Sequence, residues 1–197
     1  MTTCSEGVAP EREGDDSQGG CSWYDIIDED VNVTQGDIIL NCPVIFPPSE
    51  ISNNPDEIIA SPQEYHDVIV MTQACDIEQG KVESVVVCPI VNLDIILAEY
   101  SFNNRKEKIN FKNKIRKGFV LHYYLLNECE LENDKFEYSV VNLGDIHIVS
   151  LELINRIVKE QTHRIRLKPL YREELSQTFA KTFMRIGLPR TIPEFKK

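Results

Sequence analysis

Apolar residues change their period several times along the chain, and each change marks a predicted element. Residues 1–22 are rich in Ser, Gly, Thr, Glu and Asp with little to bury, which reads as a disordered leader. Trp23, Tyr24, Ile26 and Ile27 follow, a short apolar stretch suited to docking on the body of the domain. Gln35-Gly36-Asp37 reads as a turn, and Ile38 to Phe46 as a β-type run that Pro47-Pro48 ends. Residues 47–64 hold four prolines among Ser, Asn and Asp and read as a long loop. Asp67 to Gln73 and Val82 to Val91 are short and dense in β-branched residues, the signature of buried strands. Neither alternates strictly, so each is expected to be covered on both faces. Cys75 to Lys81 supplies the connection between them.

From Asn92 the period lengthens. Leu93, Ile96, Leu97 and Tyr100 fall on one face of a helix, and Ile109, Phe111 and Ile115 among lysines prolong it to Gly118, with a break at Asn103-Asn104. The whole, about 92–118, reads as a helical insertion. Phe119 to Leu126 returns to strand character and pairs as a hairpin with Lys135 to Val141. Ile146 to Val149 is a further strand, with Ser150 as the N-cap of a short helix over Leu151 to Val158. His163 to Leu167 reads as one more strand. Pro169 opens the last helix, 169–187, whose Leu175, Phe179 and Phe183 repeat every fourth position until Gly187 and Pro189 stop it.

Composition narrows the class. The 197 residues are 42% hydrophobic and 27% charged, ordinary globular usage for one domain, here 23–197, with a leader. No apolar run approaches the roughly 18 residues of a membrane span. The start, Met1-Thr2-Thr3-Cys4-Ser5-Glu6, has neither the basic nor the apolar region of a signal peptide, so the expectation is a cytoplasmic protein without membrane contact.

Charge is unevenly laid out. The net −11 divides into −18 over residues 1–104, +6 over 105–117, −5 over 118–150 and +6 over 151–197. Two basic islands in an acidic chain suit an acidic partner protein or the chain's own acidic half. RNA phosphates are the alternative, opposed at long range by the acidic half. Six cysteines without an export signal read as thiols rather than a disulfide framework. Cys4 and Cys21 are expected to be exposed in the tail. No C-x-x-C pair occurs, and Cys42, Cys75, Cys88 and His66 would have to converge in space to hold a metal. No metal and no cofactor are expected.

Thr72-Gln73-Ala74-Cys75-Asp76 is the most site-like segment, placing polar groups, a thiol and a carboxylate at the end of a buried strand. A Cys75 nucleophile needs a base, and His66 and His122 are the candidates. The plainer account has Asp76 capping a turn, Gln73 satisfying backbone groups and Cys75 packing. On the final helix, Arg172, Lys181, Arg185 and Arg190 form a candidate basic binding face. No Gly-rich phosphate loop, His-Glu-x-x-His or Gly-x-Ser-x-Gly motif occurs.

Gly36-Asp37-Ile38, Val68-Ile69-Val70-Met71-Thr72, Val85-Val86-Val87-Cys88-Pro89-Ile90 and Asp145-Ile146-His147-Ile148-Val149 follow one another in an order that resembles the MazF/PemK toxin family. That resemblance implies a small SH3-like barrel and cleavage of single-stranded RNA. The family's Arg-Pro pair before the second strand is replaced here by Tyr65, His66 and Asp67, and its Thr or Ser after Pro-Ile by Val91. RNA cleavage needs a cation on the phosphate and a general acid and base, and Asp67 repels phosphate. Thr72-Gln73-Ala74-Cys75-Asp76 and the run from Tyr171 to Ala180 also resemble a bacterial family with a Ser/Thr-Gln-x-Cys-Asp motif and no assigned activity.

The expected fold is α+β: a small SH3-like β-barrel or strongly bent antiparallel sheet with an inserted helix and a C-terminal helix. The leading functional expectation is a non-catalytic interaction module, an accessory factor of a prokaryotic stress or phage-defence system whose partner is another protein. A MazF-like endoribonuclease with a rearranged site is the alternative.

Overall fold

The computed structural model describes residues 21–48, 60–131, 135–161 and 163–184. The leader up to residue 20, residues 49–59 of the loop, and Arg185, Gly187 and Arg190 lie outside the described residues. Ten strands and five helices occur among those described: β1 (Tyr24–Asp28), β2 (Ile38–Ile45), β3 (Gln63–Val70), α1 (Ala74–Glu78), β4 (Ser84–Asn92), α2 (Leu93–Glu99), α3 (Arg105–Arg116), β5 (Tyr123–Leu126), β6 (Cys129–Glu130), β7 (Lys135–Phe136), β8 (Ser139–Asn142), β9 (His147–Ser150), α4 (Leu151–Glu160), β10 (His163–Leu167) and α5 (Pro169–Phe183).

The sheet is antiparallel and runs β2-β3-β4-β8-β5, with β9 also on β4. Strand β4 organises it. Residues 87–89 pair with β3, 84–87 with β9 and 90–92 with β8, so β8 and β9 lie end to end along β4 while the intervening residues loop out. Strand β2 carries an irregularity with a clear use. Ile39 pairs with Val68 and Cys42 with His66, so Leu40 and Asn41 together oppose Asp67. Asn41 sits at φ 52, a left-handed conformation that Asn tolerates, and its N–H donates to Asp67 Oδ1 at 2.9 Å. The extra residue resets the alternation. Ile39, Cys42 and Val44 consequently share one face although their spacing in a regular strand would divide them.

Both faces of the sheet are covered. Ile38, Ile69, Cys88, Ile90, Tyr124, Leu126 and Val141 point inward with Tyr24 of β1, Ile165 and Leu167 of β10 and Leu175 of α5. Val68, Val70, Val85, Val87 and Val149 point the other way, under Ile154 and Val158 of α4. Burial on both faces is why β3 and β4 read as unbroken apolar runs. A third cluster sets Leu93, Ile96 and Leu97 of α2 and Ile115 of α3 on Val140.

The sheet curls without closing. Strands β1 and β10 pair with each other and reach β2 through one bridge, Asp37 with Arg166, and a bond from Leu167 N to Gly36 O of 3.0 Å. At the far edge β5 meets the β1 region through side chains: the Tyr24 hydroxyl donates to Asn127 O at 2.7 Å, and Cys21 is disulfide-bonded to Cys129. Among the described residues no ladder joins β5 to β1. The class expected from the sequence, α+β around a bent antiparallel sheet, is observed; a barrel closed by hydrogen bonds is not.

Several local expectations are corrected. Cys21 and Cys129 are a disulfide rather than thiols, leaving Cys42, Cys75 and Cys88 free among the described cysteines. The insertion shows the expected break at Asn103-Asn104, because Asn92 and Asn104 each cap a helix start: Asn92 Oδ1 accepts from Asp94 N and Asn104 Oδ1 from Glu107 N. Ser150 stands at the N-cap of α4 but makes no capping bond with its side chain. Strand β5 begins at Tyr123, since Phe119 to His122 is spent on the turn after α3.

Candidate functional site

Of the Thr72–Asp76 segment, the fold engages the Thr72 side chain and leaves Gln73 and Cys75 exposed. Thr72 Oγ1 accepts from Val86 N at 2.7 Å, tying the end of β3 to β4. Gln73 is the N-cap residue of α1, its carbonyl taking the N–H groups of Asp76 and Ile77. Asp76 faces Lys81 at 3.5 Å. Cys75 is an exposed thiol with Asp76 Oδ1 3.8 Å from its Sγ.

His66 lies opposite Cys42 in the middle of β3, with Nε2 3.1 Å from Glu64. At ~3.3 Å per residue the rest of that strand puts about 13 Å between it and the segment bearing Cys75. His122 instead places its ring against Gly144. No base reaches the thiol among the described contacts. Cys42 and Cys88 sit on opposite faces of the sheet, and burial pushes their thiols up to about 11 and about 12, so neither is a nucleophile at neutral pH. No group of three or more His, Cys, Asp or Glu able to hold a metal occurs among the described residues.

Of the basic face proposed for the last helix, Arg172 and Lys181 do not share one side. Arg172 lays its alkyl chain beside Gly36. Lys181 is nine residues further along α5, about two and a half turns, which puts it on the opposite side of the helix. Arg185 and Arg190 lie outside the described residues.

What the fold assembles instead is a basic, aromatic groove along α3. Arg105, Lys106, Lys108, Lys112, Lys114, Arg116 and Lys117 fall within thirteen positions, and among the described residues Lys112 alone of them has a carboxylate within 4 Å, Asp94 at 3.6 Å. The one acid of the stretch, Glu107, is engaged locally, accepting from Asn103 N at 2.9 Å and from the Asn103 amide. Ile115 is buried against the sheet, and Phe111 meets Tyr100 and Phe102 at tilted angles with ring centroids 4.5 and 5.7 Å away. Phe102 and Phe111 line an open concavity of about 510 Å³ with Glu107, Asn110, Asn113, Lys114 and Lys117, and Phe119 at its rim is 73% exposed. The cationic character was legible from the sequence. The groove was not, because its aromatic lining comes from residues before, within and after α3.

Two further arrangements went unseen in the sequence. His147 is buried, Nε2 3.0 Å from Asp145, and its ring packs edge-on against Phe46 at 4.9 Å, with His66 beyond Phe46 at 6.2 Å. A second concavity of about 320 Å³ has Ile38, Ile90 and Ile165 among its lining residues and its polar groups already engaged: Asn92 donates to Glu137 at 2.8 Å, and Asp67 is held by Asn41.

Comparison with protein-family models and with curated proteins finds no match to this chain.

Proposed function

We propose that the protein is a non-catalytic protein-interaction module, an accessory subunit of a prokaryotic stress or phage-defence system. Its curled sheet is the scaffold, akin to an SH3-like barrel, and its α2–α3 insertion is the surface that receives an acidic segment of a partner protein. The observation that carries this reading is the α3 groove, where Lys114 and Lys117, without a carboxylate partner among the described residues, stand beside three phenylalanines that offer an apolar seat. Apolar anchors flanked by opposite charges give a protein interface both affinity and register. The candidate catalytic groups lend support from the other side, since the Thr72 hydroxyl is taken by the β4 backbone and no base reaches Cys75 among the described contacts.

A fluorescent peptide of Glu and Asp residues carrying one Phe tests the groove. Lys114→Glu with Lys117→Glu should weaken its binding tenfold or more, about 1.4 kcal/mol per tenfold. An unchanged affinity would reject the reading.

A second reading, a MazF-like endoribonuclease with a rearranged site, draws on the two imidazole–carboxylate pairs flanking Phe46, His66 with Glu64 and His147 with Asp145. Such pairs are the usual parts of acid–base catalysis. Incubation with mixed single-stranded RNA separates the two. The interaction module leaves the RNA intact; cleavage abolished by His66→Ala or His147→Ala would install the enzyme in its place.

A further inference from the structure

The acidic half of the chain presents a feature opposite in charge to the lysines of the groove. Directly after β1 the backbone turns through Asp28, Glu29, Asp30, Val31 and Asn32, all exposed. Their carbonyls are clamped from within. Arg164 donates to Asp28 O at 3.1 Å, Val31 O at 2.6 Å and Asn32 O at 3.0 Å, and Arg166 to Asn32 O at 2.9 Å. Arg164 is itself fixed by Asp37.

With the backbone held, the three carboxylates project into solvent, and none has a cation within 4 Å among the described residues. Val31 is exposed between them and the Asn32 end of the turn. The result is a rigid knuckle of three acids and one apolar side chain. Pre-organisation of this kind removes part of the ordering cost of binding.

The knuckle and the groove lie in different parts of the fold. The groove stands on the β5–β8 side of the sheet, whereas the knuckle belongs to the β1–β10 pair, which joins the sheet at β2. No ion pair connects them within one molecule among the described residues.

We propose that the occupant of the α3 groove is the Asp28–Val31 knuckle of a second copy of this chain, so that the protein associates head to tail. Glu29 and Asp30 pair with Lys114 and Lys117, and Val31 seats against Phe111 and Phe119. Because donor and acceptor surfaces differ, the contact is heterologous and propagates into a ring or an open chain. The inference rests on the reading of the groove as a receptor for acidic protein segments and adds the identity of the segment.

Sedimentation velocity on the full chain tests it. In about 20 mM salt, where the Debye length is tens of ångströms, the mean mass should rise with protein concentration, and in ~0.5 M salt it should fall back to the monomer. Lys114→Glu with Lys117→Glu, and separately Glu29→Lys with Asp30→Lys, should each be monomeric at low salt. An equimolar mixture of these two variants should associate again, because each offers a surface complementary to the other's. All four substitutions are at exposed positions.

A wild type that stays monomeric throughout overturns the proposal. So does association that persists in either variant alone, or an oligonucleotide that binds the groove while no self-association occurs. The acidic-peptide titration keeps the two failures apart. Peptide binding lost in Lys114→Glu with Lys117→Glu, beside a monomeric wild type, removes the second copy but leaves the groove a receptor; no peptide binding removes both.

Discussion

Asp37→Ala should cost the protein about 3–5 kcal/mol, enough to consume much of the stability of an ordinary domain. Asp37 is fully buried, and its carboxylate gathers four donors: Thr34 N at 3.1 Å, Arg164 Nε at 2.9 Å, Arg166 NH2 at 2.9 Å and Arg166 Nε. The Arg164 side chain is 1% exposed. Removal of the carboxylate strands that guanidinium in the interior with carbonyls alone, and an uncompensated buried charge is what makes broken internal ion pairs expensive. The damage is also architectural. Asp37 bridges β2 to β10, and the arginines it holds fix the turn after β1, so the β1–β10 pair loses its main attachment to the sheet.

Urea melts of wild type, Asp37→Ala and Asp37→Ala with Arg164→Leu separate the terms. Loss of the second charge along with the first should recover part of the deficit, since an apolar replacement no longer demands a counter-ion. A single variant within 1 kcal/mol of wild type would show that solvent reaches this cluster and that the network is not the tie between the two strand sets.

Much of this layout was written in local patterns. The apolar density of Val68 to Met71 and Val85 to Ile90 gave buried strands covered twice, and Leu175 and Phe179 gave the last helix its inward stripe, whereas Phe183 is exposed. What escaped were interactions between residues far apart in the chain. An Asp after Gln-Gly reads as a turn residue facing water. Only its partners 127 and 129 positions later convert it into a buried anion. Cys21 lay at the edge of a polar tail and its partner 108 residues downstream, with no spacing rule to join them. The basic residues of α5 show a different limit. Counting charges without helical phase put Arg172 and Lys181 on one face, when nine residues of helix put them on two. At Thr72–Asp76 the sequence could not show that the Thr72 hydroxyl, at a strand end between two sheet neighbours, is taken by the Val86 N–H. The cationic insertion survived because charge density needs no long-range partner to be legible.

The Cys21–Cys129 disulfide should carry the other large share of stability, about 2–5 kcal/mol, lost in Cys21→Ser or on reduction. The crosslink closes a loop 108 residues apart in sequence that contains β1 through β5, so it removes a great deal of freedom from the unfolded chain; loop-closure arithmetic for ~100 residues gives about 4.7 kcal/mol as its ceiling. It also sits where the sheet lacks a ladder. Tyr24 reaches Asn127, Trp23 stacks on Tyr171 at 4.2 Å between ring centroids, and the disulfide fastens the same seam covalently. Those neighbours hold the β1 region in place after reduction, so the fold should loosen there first and not collapse.

Thermal melts with and without reductant check the size of the effect. Cys21→Ser in oxidising buffer should match reduced wild type, and reductant should do nothing further to the variant. Peptide mapping after alkylation under native conditions should label Cys75, leave buried Cys42 and Cys88 unmodified, and label Cys21 only after reduction. Alkylated Cys21 from unreduced protein would mean that the bond is absent, and with it the covalent seam. A thiol-reducing compartment would then run the protein several kcal/mol below its oxidised stability. The β1 knuckle, one strand away from Cys21, is the surface most exposed to that difference.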